Sequence, residues 1–190
     1  MLFGLCLWAC PAQAGEPVVV KRPFVSDTHG LVVRFPPGLT YCPVAADWVG
    51  SDHGTVVYLV RPAACDAAAM VPRIEIYYGY NTADVERVDR EPSPPETDGE
   101  LVGRYCPAGS GPLTARLVVF GRRAVGCVVE RGRAVEVKVA AVYGAEMGHE
   151  LVLTLNTTRG RLARDMRVFR RVVAGVAECP VACPEARTKK

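Results

Sequence analysis

"ELVLTLNTTRGRLARDMRVFRRVVAGV", residues 150–176, changes its hydrophobic period part-way along. The first eight residues alternate or run in β-branched side chains, the pattern of a strand with at least one buried face. Further on, Leu162, Met166, Phe169, Val173 and Val176 recur at spacings of four, three, four and three. That spacing winds them onto one stripe of an amphipathic helix and turns Arg161, Arg164, Arg167 and Arg171 away from it. The helix is expected over residues 157–179, with Thr157 or Thr158 capping its start and Gly160 weakening the first turn. A strand that feeds a one-faced helix implies an α+β domain, an antiparallel sheet backed by helix.

The upstream sequence extends the same sheet. "LTARLVVF", "RAVGCVVE" and "RAVEVKVAAVYG" are strand-like, with Gly121 and Gly132 where tight turns are needed, so residues 113–143 read as an antiparallel meander. Within it Glu136 and Lys138 alternate with Val135, Val137 and Val139, giving one wet face and one dry face. Earlier strands are expected in "EPVVVKR", "GLVVRFP", "GTVVYLVR" and "RIEIYYGY". "NTADVERVDR", residues 81–90, reads as a short second helix with Asn81 or Thr82 as its cap. The acidic, proline-rich stretch "DREPSPPETDGE", residues 89–100, holds three prolines and five acids and is expected as an exposed loop.

The N-terminus reads as an address. Residues 2–9 are almost wholly apolar, and Ala12-Gln13-Ala14 is an A-x-A cleavage pattern, so residues 1–14 are expected to be a signal peptide and residues 15–190 one domain. The segment lacks the usual basic residues ahead of its apolar run. Leu7-Trp8-Ala9-Cys10 also has the outline of a lipobox, which makes Cys10 a candidate lipid anchor. Beyond the leader there is no apolar run of transmembrane length.

Of the eight cysteines, Cys6 and Cys10 fall in the leader. The remaining Cys42, Cys65, Cys106, Cys127, Cys179 and Cys183 are an even set in an exported chain, which reads as disulfides. Pairing of sequence neighbours is expected: Cys42–Cys65, Cys106–Cys127 and Cys179–Cys183. Zinc is disfavoured, because "ECPVAC" spaces its cysteines by three residues and no second close pair or histidine pair accompanies it.

"GLVVRFPPGL" resembles the opening strand and proline turn of Mog1/PsbP-like domains, and "ELVLTLNTTRGRLARDMRVFRRVVAGV" their closing strand and helix. The resemblance implies an antiparallel sheet backed by helices in a fold used mainly for binding. The cysteines and the stretch 89–100 depart from that pattern, and no functional residue carries over.

The chemistry visible in the sequence is sparse. His29, His53 and His149 each sit beside glycine and near an acid, but no metal-binding spacing links them. Ser110 lies directly between Gly109 and Gly111, which is not the spacing of a nucleophile elbow. No phosphate-binding or dinucleotide fingerprint occurs, no cofactor is implied, and a net charge of +3 does not suggest a nucleic-acid partner. The expectation is a periplasmic or secreted binding protein that is not an enzyme, most concretely an immunity or inhibitor protein neutralising a secreted toxin or an envelope hydrolase. Alternatives are a small envelope hydrolase or metal-dependent enzyme using His53 or His149, and an assembly factor of the envelope. The binding candidates are Tyr41, Asp47, Trp48 and Asp52, which offer aromatic area and acids, and the helical Arg164, Arg167 and Arg171. The acidic stretch 89–100 is the internal rival for those arginines.

Overall fold

Three long strands with the strongest alternation form the centre of the molecule. The structure is a computed structural model that describes residues 16–42, 54–65, 71–80, 97–144 and 148–179. In chain order the strands are β1 (Val18–Val19), β2 (Phe24–Ser26), β3 (Leu31–Val33), β4 (Thr40–Tyr41), β5 (Gly54–Tyr58) and β6 (Arg73–Tyr80). Helix α1 (Asp98–Tyr105) follows, then β7 (Gly111–Pro112), β8 (Val118–Val119), β9 (Arg122–Arg123), β10 (Val125–Arg131), β11 (Ala134–Tyr143) and β12 (His149–Thr158). Helix α2 (Leu162–Ala174) and β13 (Val176–Glu178) close the described chain. Eight strands make one sheet in the order β1-β4-β5-β6-β12-β11-β10-β7, and β13-β3-β2 form a second, smaller sheet. Every pair in both is antiparallel.

Period-two alternation sorts the side chains of β11 and β12. Val135, Val137, Val139, Leu151, Leu153 and Leu155 share one core with Ile74 and Ile76 of β6 and with Phe169, Val172 and Val173 of α2. The opposite face is polar at Glu136 and Lys138, as expected, though both are half-buried and Lys138 donates to the Tyr105 carbonyl at 3.2 Å. Farther along it is closed by α1, where Leu101 packs on Ala140, Val142 and Val152. Both faces of β11 are therefore buried near its C-terminal end.

Several expectations shift. Of the meander expected over residues 113–143 the β10–β11 hairpin holds, with Gly132 at φ 63 in its turn, and β12 continues it. Residues 118–123 leave it: β8 and β9 make a separate two-stranded ribbon around Phe120-Gly121, at φ 49 and 72. Two left-handed residues in a two-residue loop match the twist of a tight hairpin, which closes this ribbon locally.

Helix α2 starts later and ends earlier than its periodicity suggests. Thr157 and Thr158 stay in β12, because they pair with Val135 and Ala134 of β11. Arg161 takes the capping position with no side-chain cap bond. Val176 continues the stripe numerically but belongs to β13, opposite Val33. Gly175 makes this exit: a Cβ there would lie 2.2 Å from the carbonyl oxygen of Arg34, whose amide donates to the Gly175 carbonyl at 2.9 Å.

The stretch 89–100 also differs at its end. Asp98, Gly99 and Glu100 are the first turn of α1 rather than loop. Thr97 accepts from the Glu100 amide, and the Glu100 carboxylate accepts from the Thr97 amide at 2.7 Å. This reciprocal pair satisfies the open end of the helix. Residues 81–96, with the short helix expected at 81–90, lie outside the described residues, as do the leader and Cys10.

Two disulfides brace the fold as expected: Cys42–Cys65 with Cα atoms 5.5 Å apart, and Cys106–Cys127 at 6.2 Å. Cys179 is disulfide-bonded; Cys183, its expected partner, lies outside the described residues. No helix among the described residues is long and apolar enough to cross a membrane.

Candidate functional site

Helix α2 carries Arg164, Arg167, Arg170 and Arg171 and a single acid, Asp165. Its apolar side is fixed by Phe169, Val172 and Val173, all at most 1 % exposed. The first turn is held by Asp165, which is 1 % exposed although charged. Its carboxylate accepts from the Thr157 hydroxyl at 2.5 Å and from two nitrogens of the Arg161 guanidinium at 3.1 Å each. A carboxylate in the first helical turn also faces the positive end of the helix dipole. Arg161 is thus tied inward, not turned away as expected.

The other arginines of the helix are free of such ties. Arg164, Arg167, Arg170 and Arg171 are exposed, and none forms an ion pair among the described residues. At 100° per residue Arg164, Arg167 and Arg171 share one stripe. The described end of the acidic stretch does not answer them. Asp98 accepts from the Val142 amide at 2.8 Å and pairs with Arg122 at 3.5 Å. Glu100 is used in the cap of α1, on the opposite face of the large sheet from α2.

Tyr41, from β4, lies next to the Cys42–Cys65 bridge and lines an open cleft of about 410 Å³. Asp47, Trp48 and Asp52, its expected companions, lie outside the described residues, as does His53. The structure therefore places two candidate surfaces, the arginine stripe and the Tyr41 cleft. No residue of α2 lines that cleft.

Two buried polar clusters were not visible in the sequence. On the α1 face Glu150, 1 % exposed, accepts from the Tyr105 hydroxyl at 2.7 Å and pairs with Arg104 at 3.0 Å. Burial, and next the hydrogen bond to Glu150, push the Tyr105 phenol well above its usual range. Tyr77 is raised as well, by burial and then by the Glu150 charge. This arrangement docks the C-terminal end of α1 on β12, and the Tyr105 phenol stays protonated and donates to Glu150.

On the other face the rings of His29 and His149 meet edge-on, 5.4 Å apart at 87°. Tyr80 lies 4.9 Å from His29 and 5.2 Å from His149, and Tyr143 lies 5.4 Å from His149. Tyr143 in turn stacks on Phe120 at 4.8 Å, covering the left-handed turn of the β8–β9 ribbon. Neither ring nitrogen of His149 has a hydrogen-bond partner among the described residues. Burial holds its pKa below the ordinary value, and the nearby Glu178 carboxylate only partly offsets this. The cluster stitches the ends of β6, β11 and β12 to the turn after β2. Among the described residues no group of three or more His, Cys, Asp or Glu is arranged to hold a metal ion. Ser110 donates to the Pro107 carbonyl at 2.6 Å, as in a local turn.

No protein-family model matches the chain, and no curated protein does. A crystal structure of a protein from Bacteroides thetaiotaomicron superposes at a TM-score of 0.47 with 7 % identity. The match covers 87 % of this chain and 48 % of the other, so this chain spans about half the length of that protein.

The signals that could have found the missed features differ in kind. Thr97-x-x-Glu100 is a capping-box pattern and does announce α1. Nothing local announces that His29 and His149, or Tyr105 and Glu150, will meet.

Proposed function

We propose that this protein is exported to the periplasm or secreted, and that it works by binding an acidic protein partner rather than by catalysis. Its most concrete form is an immunity or inhibitor protein that neutralises a secreted toxin or an envelope hydrolase. The observation that carries this reading is the stripe of Arg164, Arg167 and Arg171, exposed and unpaired among the described residues on a helix whose other side is locked in the core. A guanidinium presents a rigid fork of donors that matches a carboxylate, and a helix presents several of them at fixed spacing. Such a surface steers an acidic partner and sets its orientation. The disulfides support the same reading, since they suit an oxidising compartment and keep a binding surface preformed. The Mog1/PsbP-like resemblance points to the same class.

The test begins with capture of a partner from the native envelope by the disulfide-intact protein. The partner is then purified and its own activity titrated with this protein. Stoichiometric loss of that activity is expected, and reversal of Arg164, Arg167 and Arg171 to Glu should abolish it. Turnover of an envelope substrate by the protein alone would overturn the reading.

A further inference from the structure

The cleft beside Tyr41 lies at the end of the large sheet where, among the described residues, β1 pairs only with β4. Val20, Phe24 and Phe35 give it apolar walls, and Tyr41 and Thr55 contribute hydroxyl-bearing side chains. Its volume of about 410 Å³ falls in the range of small-molecule sites, which are mostly apolar with a few polar groups that fix orientation. Lys21 and Arg22 also line it; both are exposed, and neither forms an ion pair among the described residues. Two uncompensated cations beside an apolar cleft call for an occupant with the opposite arrangement, an apolar body carrying an anion.

The cleft is held open by the fold. Val18 and Val19 are in register with Tyr41 and Thr40, the Val20 amide donates to the Leu39 carbonyl at 2.9 Å, and Cys42 is bridged to Cys65. Covalent and ladder constraints on both sides of Tyr41 leave little ordering to be done on binding, which favours a small ligand.

We infer that this cleft binds a single-chain amphipathic carboxylate, its apolar chain against Val20, Phe24 and Phe35 and its head beside Lys21 and Arg22. The site is independent of the arginine stripe, so it stands or falls apart from the partner-binding reading.

The test is calorimetric titration of the disulfide-intact protein with decanoate and with decanol. Saturable binding of decanoate is expected, about threefold tighter than that of decanol, the size of difference that charge contacts with two exposed side chains supply. Joint replacement Lys21→Gln and Arg22→Gln alters only exposed side chains, and it should erase the preference for the anion while decanol binding persists. Thr55→Trp, which fills the cleft, should abolish both. Absence of saturable decanoate binding, equal binding of the alcohol, or an undiminished preference in the Lys21→Gln/Arg22→Gln protein would each overturn the inference.

Discussion

Replacing Asp165 by Ala should be the most damaging single change on helix α2 outside its apolar stripe. An exposed Arg–Asp pair at this helical spacing contributes only about 0.3–0.5 kcal/mol, but Asp165 is 1 % exposed. Its 2.5 Å bond from Thr157 is buried, and hydrogen bonds to charged groups contribute about 1.5–3 kcal/mol each. The two bonds from Arg161 count for less, because that side chain is 31 % exposed and regains water when released. Loss of the acceptor, with the Thr157 hydroxyl left unsatisfied, amounts to about 3 kcal/mol. In a domain of this size that lowers Tm by roughly 10 °C. Asp165→Asn keeps an acceptor for Thr157 and should lose only about 1 kcal/mol. Urea unfolding followed by circular dichroism, with disulfides intact, measures all three proteins. A double-mutant cycle with Thr157→Val should be strongly non-additive, since both changes remove one bond. A loss below about 1 kcal/mol for Asp165→Ala, or additivity in the cycle, would refute the argument that this buried carboxylate organises the start of the helix.

Tyr105→Phe should cost about 1–3 kcal/mol by leaving a buried Glu150 oxygen without its donor, read from the urea midpoint. Removing Cys106–Cys127 or Cys42–Cys65, whose partners are 21 and 23 residues apart, should each cost about 3 kcal/mol by chain entropy; thermal unfolding of the paired Ser variants checks this. His149 predicts an acid-sensitive stability. Its folded pKa is depressed below the ordinary 6.5, so the unfolded chain takes up the proton first as pH falls. Stability conferred by the neutral imidazole is full above about pH 6.5 and declines below it, down to the depressed folded value. His149→Phe should flatten that decline in urea midpoints measured from neutral to mildly acidic pH.

Most of the sheet is legible in the sequence because β11 and β12 repeat one local rule for ten residues each. The short strands are not. β2, β4 and β13 have two or three residues, and they exist because a distant partner completes them, as Val33 does for Val176. Val176 falls three residues after Val173, so a helical stripe and a helix that stops at Gly175 look the same until the Arg34 carbonyl is seen. Prolines ahead of Thr97 suggested a loop and masked the capping box that starts α1. The arginine stripe was legible as a pattern, but the inward turn of Arg161 depends on a buried acid four residues later. The His29–His149 contact joins a turn near one end of the chain to a strand near the other, and no local spacing encodes it.

The proposed binding surface is the stripe of Arg164, Arg167 and Arg171. Its most direct test is the dissociation constant of the captured partner, measured by calorimetry for the native protein and for the protein with all three arginines changed to Glu. A weakening of at least about a hundredfold is expected, since like charges then oppose the partner, with circular dichroism and unfolding midpoint unchanged. Equal affinity of the two proteins for that partner would contradict it.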